Sequence, residues 1–340
     1  MYDPGALYVD PILTDFSVGF KDQSLYGLRL FPETPVRTPS GKYRVYDRSD
    51  WLIHRSLRAP NTVANEVGAK KWSEDVFSTK EHALQAVITD EERKELVSQG
   101  GLANAVFGGD LQIDPERDAT DYVTRSLMLE HEKRVADAIR DTGNYPGGST
   151  LDLAGSTQWD DYTGGEASDS DPVANIKLAM QKVHLSTGRW PNTFTIPWDA
   201  VGIIENHPRV VARYKYTSVT NPDAWQALLG LPAEATAGLR VFVVDSMYNA
   251  ADNVDVAEDI TSFWGQDVWL GIVDETPGQK TKTFGKTFAE VYLDGSVRPT
   301  ERWREENRKV DVVRTNWKYD LKIVSPTAGY LWTNVVTAVS

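Results

Sequence analysis

The N-terminal 35 residues constrain the fold most, because their pattern predicts an extended arm without a core of its own. Apolar residues are scattered through this segment without the spacing of a helix or a strand. Prolines interrupt it at Pro4, Pro11, Pro32 and Pro35. Proline fixes one backbone angle and removes a hydrogen-bond donor, so such a segment favours an extended path. An arm of this kind has to lie on a larger body.

A second thin feature follows the arm. From Ser40 the sequence GKYRVYDRSDW alternates as a strand does, and a segment rich in Arg, Pro, Asn and Gly continues from His54 to Gly68. Residues 72–88 then return with mixed patterning. An outward strand, a polar tip and a returning strand predict a long hairpin-like loop.

Two helices are marked by their caps. Asp114 stands before Pro115, and an apolar face continues until Gly143, which predicts a helix of about 40 Å. Asp171 and Pro172 open a second helix in the same way, and it runs into Gly188. Both helices begin with the residue types that satisfy free backbone N–H groups.

Strands alternate with these helices. The stretch RWPNTFTIPWDAVGIIENHP, residues 189–208, predicts a short strand followed by a short helix. Further strands are predicted in LRVFVVD, SFWGQDVWLGIVD and TFAEVYL. From Val313 to Ile323 apolar and polar residues alternate strictly, which predicts a strand with one buried and one solvated face. The order of elements predicts an α+β fold.

Composition excludes several functional classes. The chain has 340 residues and no cysteine, which excludes disulfides, thiolate metal sites and thiol catalysis. Its net charge of -13 repels phosphate and argues against a sequence-specific nucleic-acid binder. We find no signal-peptide pattern and no apolar run of about 18 residues, so we expect no membrane partner and synthesis in the cytoplasm.

Motifs for catalysis and cofactors are weak. FGKT, residues 284–287, lacks the glycine that a phosphate loop needs upstream, and the following TFAEVYL predicts a strand instead of a helix. The five histidines show no spacing typical of zinc ligands, and we predict that His131 is a solvated helix residue. We therefore expect no catalytic, cofactor or metal residues.

The best enzymatic alternative is a carbohydrate site. Eleven tryptophans and an excess of carboxylates are typical of glycoside hydrolases and of sugar-binding modules. The candidate carboxylates are Asp199, Glu205, Glu305 and Glu306. Most carboxylates, however, belong to a solvated surface.

A run of mixed charge lies near the C-terminus. Arg298, Arg302, Arg304, Arg308 and Lys309 alternate with Glu301, Glu305 and Glu306. Such a run is usually a solvated face, and its functional alternative is an ion-paired contact between subunits.

The wording and order of several motifs resemble the major capsid proteins of tailed bacteriophages, which have the Hong Kong 97 phage fold. The similar phrases lie between Leu30 and Val335 in the same order. They are LFPETPVRTPSGKYRVYDRSDW, RAPNT, DPERDAT, HEKRVA, RWPNTFTIPWDAVGIIENHP, WREENR and SPTAGYLWTNV. Relatives often have glycine where RAPNT has Asn61, and asparagine also tolerates a left-handed turn.

The resemblance implies a division of the chain into parts. It gives an N-terminal arm at 1–35, an extended E-loop at 36–90, and an axial domain at 165–275. A peripheral domain would be formed by 91–164, including a spine helix at 114–141, together with 276–340. Some relatives cross-link their shells through a lysine of the E-loop. Lys70 and Lys71 lie in this loop, but no asparagine partner matches by position.

The resemblance also implies a function without catalysis. Copies would form pentamers and hexamers of an icosahedral or prolate virion capsid, assembled in the host cytoplasm around double-stranded DNA. The expected partners are other copies, a scaffolding protein, a portal and a decoration protein. An encapsulin-like compartment shell is the alternative within the same fold. As intersubunit contacts we predict Arg48, Asp50, Arg55, Arg58, Lys70, Lys71, Arg302, Arg304 and Glu305.

Overall fold

The structure is a computed structural model. It describes residues 24–46, 72–94, 114–162, 169–214, 238–249, 260–276, 282–293 and 295–337, with the short runs 13–14, 17, 53, 56–58, 63–64 and 66. Within these residues, none of the helices has the length and apolar content that crossing a membrane requires.

The chain contains both helices and long runs of successive strands, which agrees with the predicted α+β fold. The helices are α1 (Gly27–Leu30), α2 (Pro115–Arg140), α3 (Pro172–Thr187), α4 (Trp198–Asn206) and α5 (Pro208–Tyr214). The first strands are β1 (Glu33–Val36), β2 (Ser40–Tyr46), β3 (Trp72–Ser78), β4 (Lys80–Thr89), β5 (Thr150–Asp152), β6 (Thr193–Pro197) and β7 (Arg240–Val244). The remaining strands are β8 (Met247–Asn249), β9 (Ile260–Ser262), β10 (Val268–Gly271), β11 (Gly285–Glu290), β12 (Thr300–Glu305), β13 (Val310–Ile323) and β14 (Gly329–Thr333).

The first sheet is organised around the long strand β13. β4 pairs with residues 310–319 along one side of β13. On the other side β12 pairs with residues 310–315 and β11 with residues 319–323. β1 completes the sheet by pairing in parallel with β11. The predicted alternation holds in the middle of β13, where Trp317 and Tyr319 are buried and Lys318 is partly exposed. It fails at Asn316, which was predicted on the solvated face and is 3% exposed.

The second sheet has the order β5-β14-β10-β6-β7, and its strands β6, β10 and β14 contribute to the main hydrophobic core. The strands β6 and β10 are buried at every position. α3 packs against β10 and β14. Its buried positions include the predicted face of Ile176, Ala179, Met180 and Val183, and it ends at Gly188 in a left-handed conformation, as predicted.

Five of the eleven tryptophans are fully buried in the packing of the two sheets. Trp159, Trp264, Trp269, Trp317 and Trp332 are the largest fully buried side chains of the described residues. These five rings contribute to the core and have no exposed face on which a sugar could stack. The core therefore accounts for five of the eleven tryptophans on which the carbohydrate alternative depended, whereas Trp198 on α4 is 69% exposed.

The long helix α2 confirms the predicted caps and corrects one predicted residue. Asp114 accepts a hydrogen bond from the Glu116 backbone N–H at 3.1 Å, and Pro115 occupies the first turn. Val123, Leu127, Val135 and other predicted apolar positions are buried. The prediction of a solvated His131 is wrong, because the side chain is 2% exposed. Its ring packs against Trp317 and Tyr319 of β13, which covers this face of the helix.

Candidate functional site

The predicted contact residues divide into two groups. Arg58 lies in the loop and is exposed, whereas Arg48, Asp50, Arg55, Lys70 and Lys71 lie outside the described residues. Arg302, Arg304 and Glu305 lie together on β12, at one edge of the first sheet. The structure thus places Arg302, Arg304 and Glu305 on one strand. The predicted contacts of the loop residues remain a prediction.

Arg304 is the centre of a charged cluster at this edge. Its Nη1 and Nη2 atoms donate to the two carboxylate oxygens of Asp90 at 3.0 and 3.1 Å. Nη1 also lies 3.4 Å from Asp311, and Nε donates to Glu306 at 3.2 Å. These hydrogen bonds lower the pKa of the Asp90 carboxyl below its usual range. Such a bidentate pair fixes geometry more firmly than a single contact does.

A second set of ion pairs continues from this cluster to the first turn of α2. Glu116 binds both Arg302, at 2.5 Å, and Arg93. Arg93 also contacts Asp311 at 2.9 Å. The ion pairs join β12 and β13 to residues 90–94 and to α2. The arginines of these pairs are about one-third exposed, while the Glu116 and Asp311 carboxylates are largely buried. The network therefore fixes how these elements are positioned relative to one another.

Glu305 is held more loosely. One carboxylate oxygen lies 3.3 Å from Arg308, and the other accepts from the Trp303 indole N–H at 3.4 Å. In the unassembled subunit the charges of β12 therefore have partners in their own chain. Sequence reasoning found the mixed charge of the run but not these partners, which lie up to 214 residues away.

The projecting hairpin is the second candidate site. β2 and β3 pair in antiparallel register from Ser40 opposite Ser78 to Tyr46 opposite Trp72, which confirms the outward strand and the first part of the predicted return. The rest of the predicted return belongs to β4, which pairs with β13 in the first sheet. Its base is fastened to the first sheet, where the Phe77 ring stacks on Phe288 with centroids 4.7 Å apart. The Ser78 backbone N–H donates to Asp320 at 2.8 Å.

Little of the hairpin is buried beyond its base. Among the described side chains of β3, Phe77 is buried, whereas Val76 beside it is 49% exposed. Between the two strands, Ile53, Leu57 and Val63 are 99%, 93% and 87% exposed. Apolar side chains at such exposure bury almost no surface against their own chain and so contribute little to its stability. This region is therefore a candidate for contact with another molecule.

The carboxylates predicted for a carbohydrate site lie on two separate elements. Asp199 and Glu205 are exposed on α4, while Glu305 and Glu306 lie at the end of β12. Within the described residues, no group of three or more histidine or carboxylate side chains could hold a metal ion. FGKT overlaps the strand β11, which begins at Gly285, so a strand and not a helix occupies this position, as predicted; Lys286 is 6% exposed.

Sequence reasoning missed a buried polar pair, His131 and Glu132, in the middle of α2. Both side chains are almost fully buried, at 2% and 1% exposure. The letters HEKR are typical of a solvated helix surface. The spacing along α2 could have predicted their burial, because both residues lie on the same helix face as Leu127, Met128 and Val135.

Two curated sequences are similar to this chain. The major capsid protein of Burkholderia phage BcepMu is 23% identical over 325 residues, covering 95% of each chain. The major capsid protein of Pseudomonas phage JBD67 is 25% identical over 210 residues, covering 62% of this chain and 60% of the relative. No protein-family model matches the chain.

Solved structures share the fold. A phage-related protein from Bordetella bronchiseptica RB50 matches with a TM-score of 0.72 and 23% identity, covering 97% of this chain and 98% of that one. The mature capsid of bacteriophage PhiM1 matches with a TM-score of 0.53 and 9% identity, covering 99% and 93%. The encapsulin-like alternative has weaker support, because the curated relative that matches nearly end to end is a phage protein. The solved phage capsid shows a shared fold. The two curated relatives, both structural capsid proteins and not enzymes, identify the chain as a phage major capsid protein.

Proposed function

We propose that copies of this chain assemble into pentamers and hexamers that close into an icosahedral or prolate shell around double-stranded DNA. The arm would be residues 1–35 and the E-loop residues 36–90. The peripheral domain would combine 91–164 with 276–340, and the axial domain would be 165–275. Assembly would take place in the host cytoplasm with a scaffolding protein, a portal and a decoration protein.

The hairpin is the observation that carries this proposal. It projects from the first sheet as two strands without a second layer, and it presents fully exposed apolar side chains such as Ile53 and Leu57. A contact between this loop and a different surface of a neighbouring copy is heterologous, and heterologous contacts generate rings when the rotation closes. A shell needs contacts of this kind.

Charge supports the same arrangement. Residues 47–71 of the loop carry a small cationic excess, whereas the whole chain carries a net charge of -13. The cations are Arg48, Arg55, Arg58, Lys70 and Lys71, and the carboxylates are Asp47, Asp50 and Glu66. A cationic loop on an acidic subunit is attracted to the surface of the next copy. In the same proposal Arg302, Arg304 and Glu305 contact a neighbour at the edge of the first sheet, through donors and acceptors that their own chain leaves accessible.

The acidic balance also suits the proposed contents. A strongly basic wall would bind DNA tightly, because each neutralised phosphate releases counterions. A subunit of net charge -13 would instead enclose DNA by geometry, with non-specific contacts.

Assembly is tested first with the purified full-length chain. We expect light scattering and negative-stain microscopy to show closed particles or stable capsomers. A monodisperse species near 37.9 kDa, the mass of one chain, would require the phage's own scaffolding protein to restore assembly. Failure of that rescue would overturn the proposal.

The loop is tested by charge reversal. We expect the double variant Arg55→Glu with Arg58→Glu to lower the yield of particles at unchanged stability of the subunit. A matched control, Lys80→Glu with Lys94→Glu, makes the same change in net charge at exposed positions outside the loop tip. Equal yields from both variants would remove Arg55 and Arg58 from the proposed contacts.

A further inference from the structure

His131 and Glu132 face the segment that joins the N-terminal arm to the body. This segment comprises residues 24–31 and includes the short helix α1. The Glu132 carboxylate accepts hydrogen bonds through Oε2 from two consecutive backbone N–H groups. The N–H of Tyr26 lies at 3.0 Å, and that of Gly27 also donates to the same oxygen. One end of the segment is thus bound to the middle of α2.

The other carboxylate oxygen of Glu132 faces a different part of the chain. Oε1 accepts from the indole N–H of Trp264 at 3.1 Å and from the Ser246 hydroxyl at 3.3 Å. Ser246 directly precedes β8, and Trp264 follows β9. A single buried carboxylate therefore bonds to the arm segment on one side and to the ends of the β8–β9 pair on the other.

His131 holds the opposite end of the same segment through Thr287. The Thr287 hydroxyl donates to the Phe31 carbonyl oxygen at 3.1 Å. Because its proton is used there, this hydroxyl accepts from His131 Nε2, which lies 3.0 Å away. His131 is thus the neutral tautomer with its proton on Nε2, in agreement with burial that lowers its pKa to about 3.

Gly27 fits closely between the two side chains. A Cβ atom at this position would lie 2.8 Å from Glu132 Oε2 and 3.0 Å from His131 Nδ1. The first distance is shorter than real Cβ contacts, so a side chain here would force the segment or the glutamate to move. The approach of the segment to α2 therefore depends on glycine.

We propose that His131 and Glu132 form a clasp that holds residues 24–31 on α2 and couples this docking to the position of Ser246 and Trp264. A shift that draws the β8–β9 pair away from α2 removes two donors from the carboxylate. The glutamate is then free to rotate, and its bonds to Tyr26 and Gly27 weaken. The root of the N-terminal arm would loosen whenever that pair moves. This proposal concerns the unassembled subunit and stands apart from the proposed assembly.

Hydrogen exchange of the full-length, unassembled chain tests the clasp. In Glu132→Gln, the amide has one acceptor oxygen and cannot satisfy both sets of donors. We expect exchange in peptides covering residues 24–31 to rise about tenfold or more, while peptides of α3 keep their rates. The matched control is Thr120→Val, a buried polar position of α2 whose hydroxyl bonds to Glu116 of the same helix.

Coupling is tested with Trp264→Phe, which removes one donor from Oε1 and leaves the Tyr26 and Gly27 bonds in place. We expect faster exchange in residues 24–31 here too, by a smaller factor. No change in this segment would overturn the coupling. A uniform rise across all peptides in Glu132→Gln, or none, would overturn the clasp. If Glu132→Gln fails to fold, Gly27→Ala provides the test, with the same segment expected to open.

Discussion

The β2–β3 hairpin and the second sheet are both made of short strands, but their side chains are in opposite surroundings. In the second sheet β6 and β10 are buried at every position, and the tryptophans Trp269 and Trp332 of this sheet are fully buried. In the hairpin, Phe77 at the base is buried while Val76 beside it is half exposed. The sheet is stabilised by its own chain. The hairpin keeps its apolar residues in water until another molecule covers them, which suits a subunit whose final structure is a shell.

The largest effect is expected from the core of the second sheet. Trp332 is fully buried and packs against Tyr330 and Trp159. Trp332→Ala should lower the free energy of unfolding by about 3–5 kcal/mol, measured by urea denaturation, because it leaves a cavity. Trp198 is 69% exposed, and Trp198→Ala is the control, with a change within about 0.5 kcal/mol. Equal losses of unfolding free energy in the two variants would contradict the contrast between the buried second sheet and the exposed surface.

A smaller effect is expected where the arm segment meets the first sheet. Gly285 opens β11, and a methyl group there would overlap the ring of Phe31. Gly285→Ala should cost about 1–3 kcal/mol through overpacking, measured by the urea midpoint. Gly202 in α4 has open space, so Gly202→Ala should instead stabilise by about 0.5–1 kcal/mol. A neutral Gly285→Ala would mean that Phe31 moves aside and the segment lies loosely on the body.

The third effect depends on pH. The folded-state pKa of His131, about 3, lies below its ordinary value of 6.5, so the unfolded chain binds the proton first. Stability from this group is therefore present above pH 6.5 and is lost as the pH falls from about 6.5 towards 3, by about 1.4 kcal/mol per pH unit. The groups around the ring include Arg298, Arg134 and His82, whose positive charges act in the same direction as burial.

Comparison with His131→Gln isolates this contribution. The loss of unfolding free energy between pH 7.5 and 5.5 should be larger in the parent chain by about 1 kcal/mol, measured by urea denaturation at both pH values. Glu132 acts in the opposite sense, because burial raises its pKa and the folded state gains stability when it is protonated. This contribution is present in both proteins and largely cancels. Parallel pH dependences would show that His131 is accessible to solvent.

The sequence predicted those parts of the fold that depend on neighbouring residues. Caps at Asp114 and Asp171 located the starts of α2 and α3, because capping is a local interaction. Strict alternation likewise located β13. The partners of Arg304 and Glu132 could not be predicted, since Asp90 and Trp264 lie more than 100 residues away in the chain. Burial of a polar side chain is decided by such distant partners.

The smallest effect is expected in the hairpin loop, and it sharpens the comparison most directly. Leu57 is 93% exposed, so Leu57→Ser should change the unfolding free energy of the unassembled subunit by no more than about 0.5 kcal/mol. Phe77 at the base is 7% exposed and stacks on Phe288, so Phe77→Ala should cost about 2 kcal/mol or more in the same urea experiment. Leu57→Ser should nevertheless reduce the yield of particles, because the exposed leucine is proposed to pack on a neighbouring copy. A marked loss of subunit stability in Leu57→Ser would mean that the loop is covered by its own chain, and the contrast between hairpin and second sheet would then be wrong.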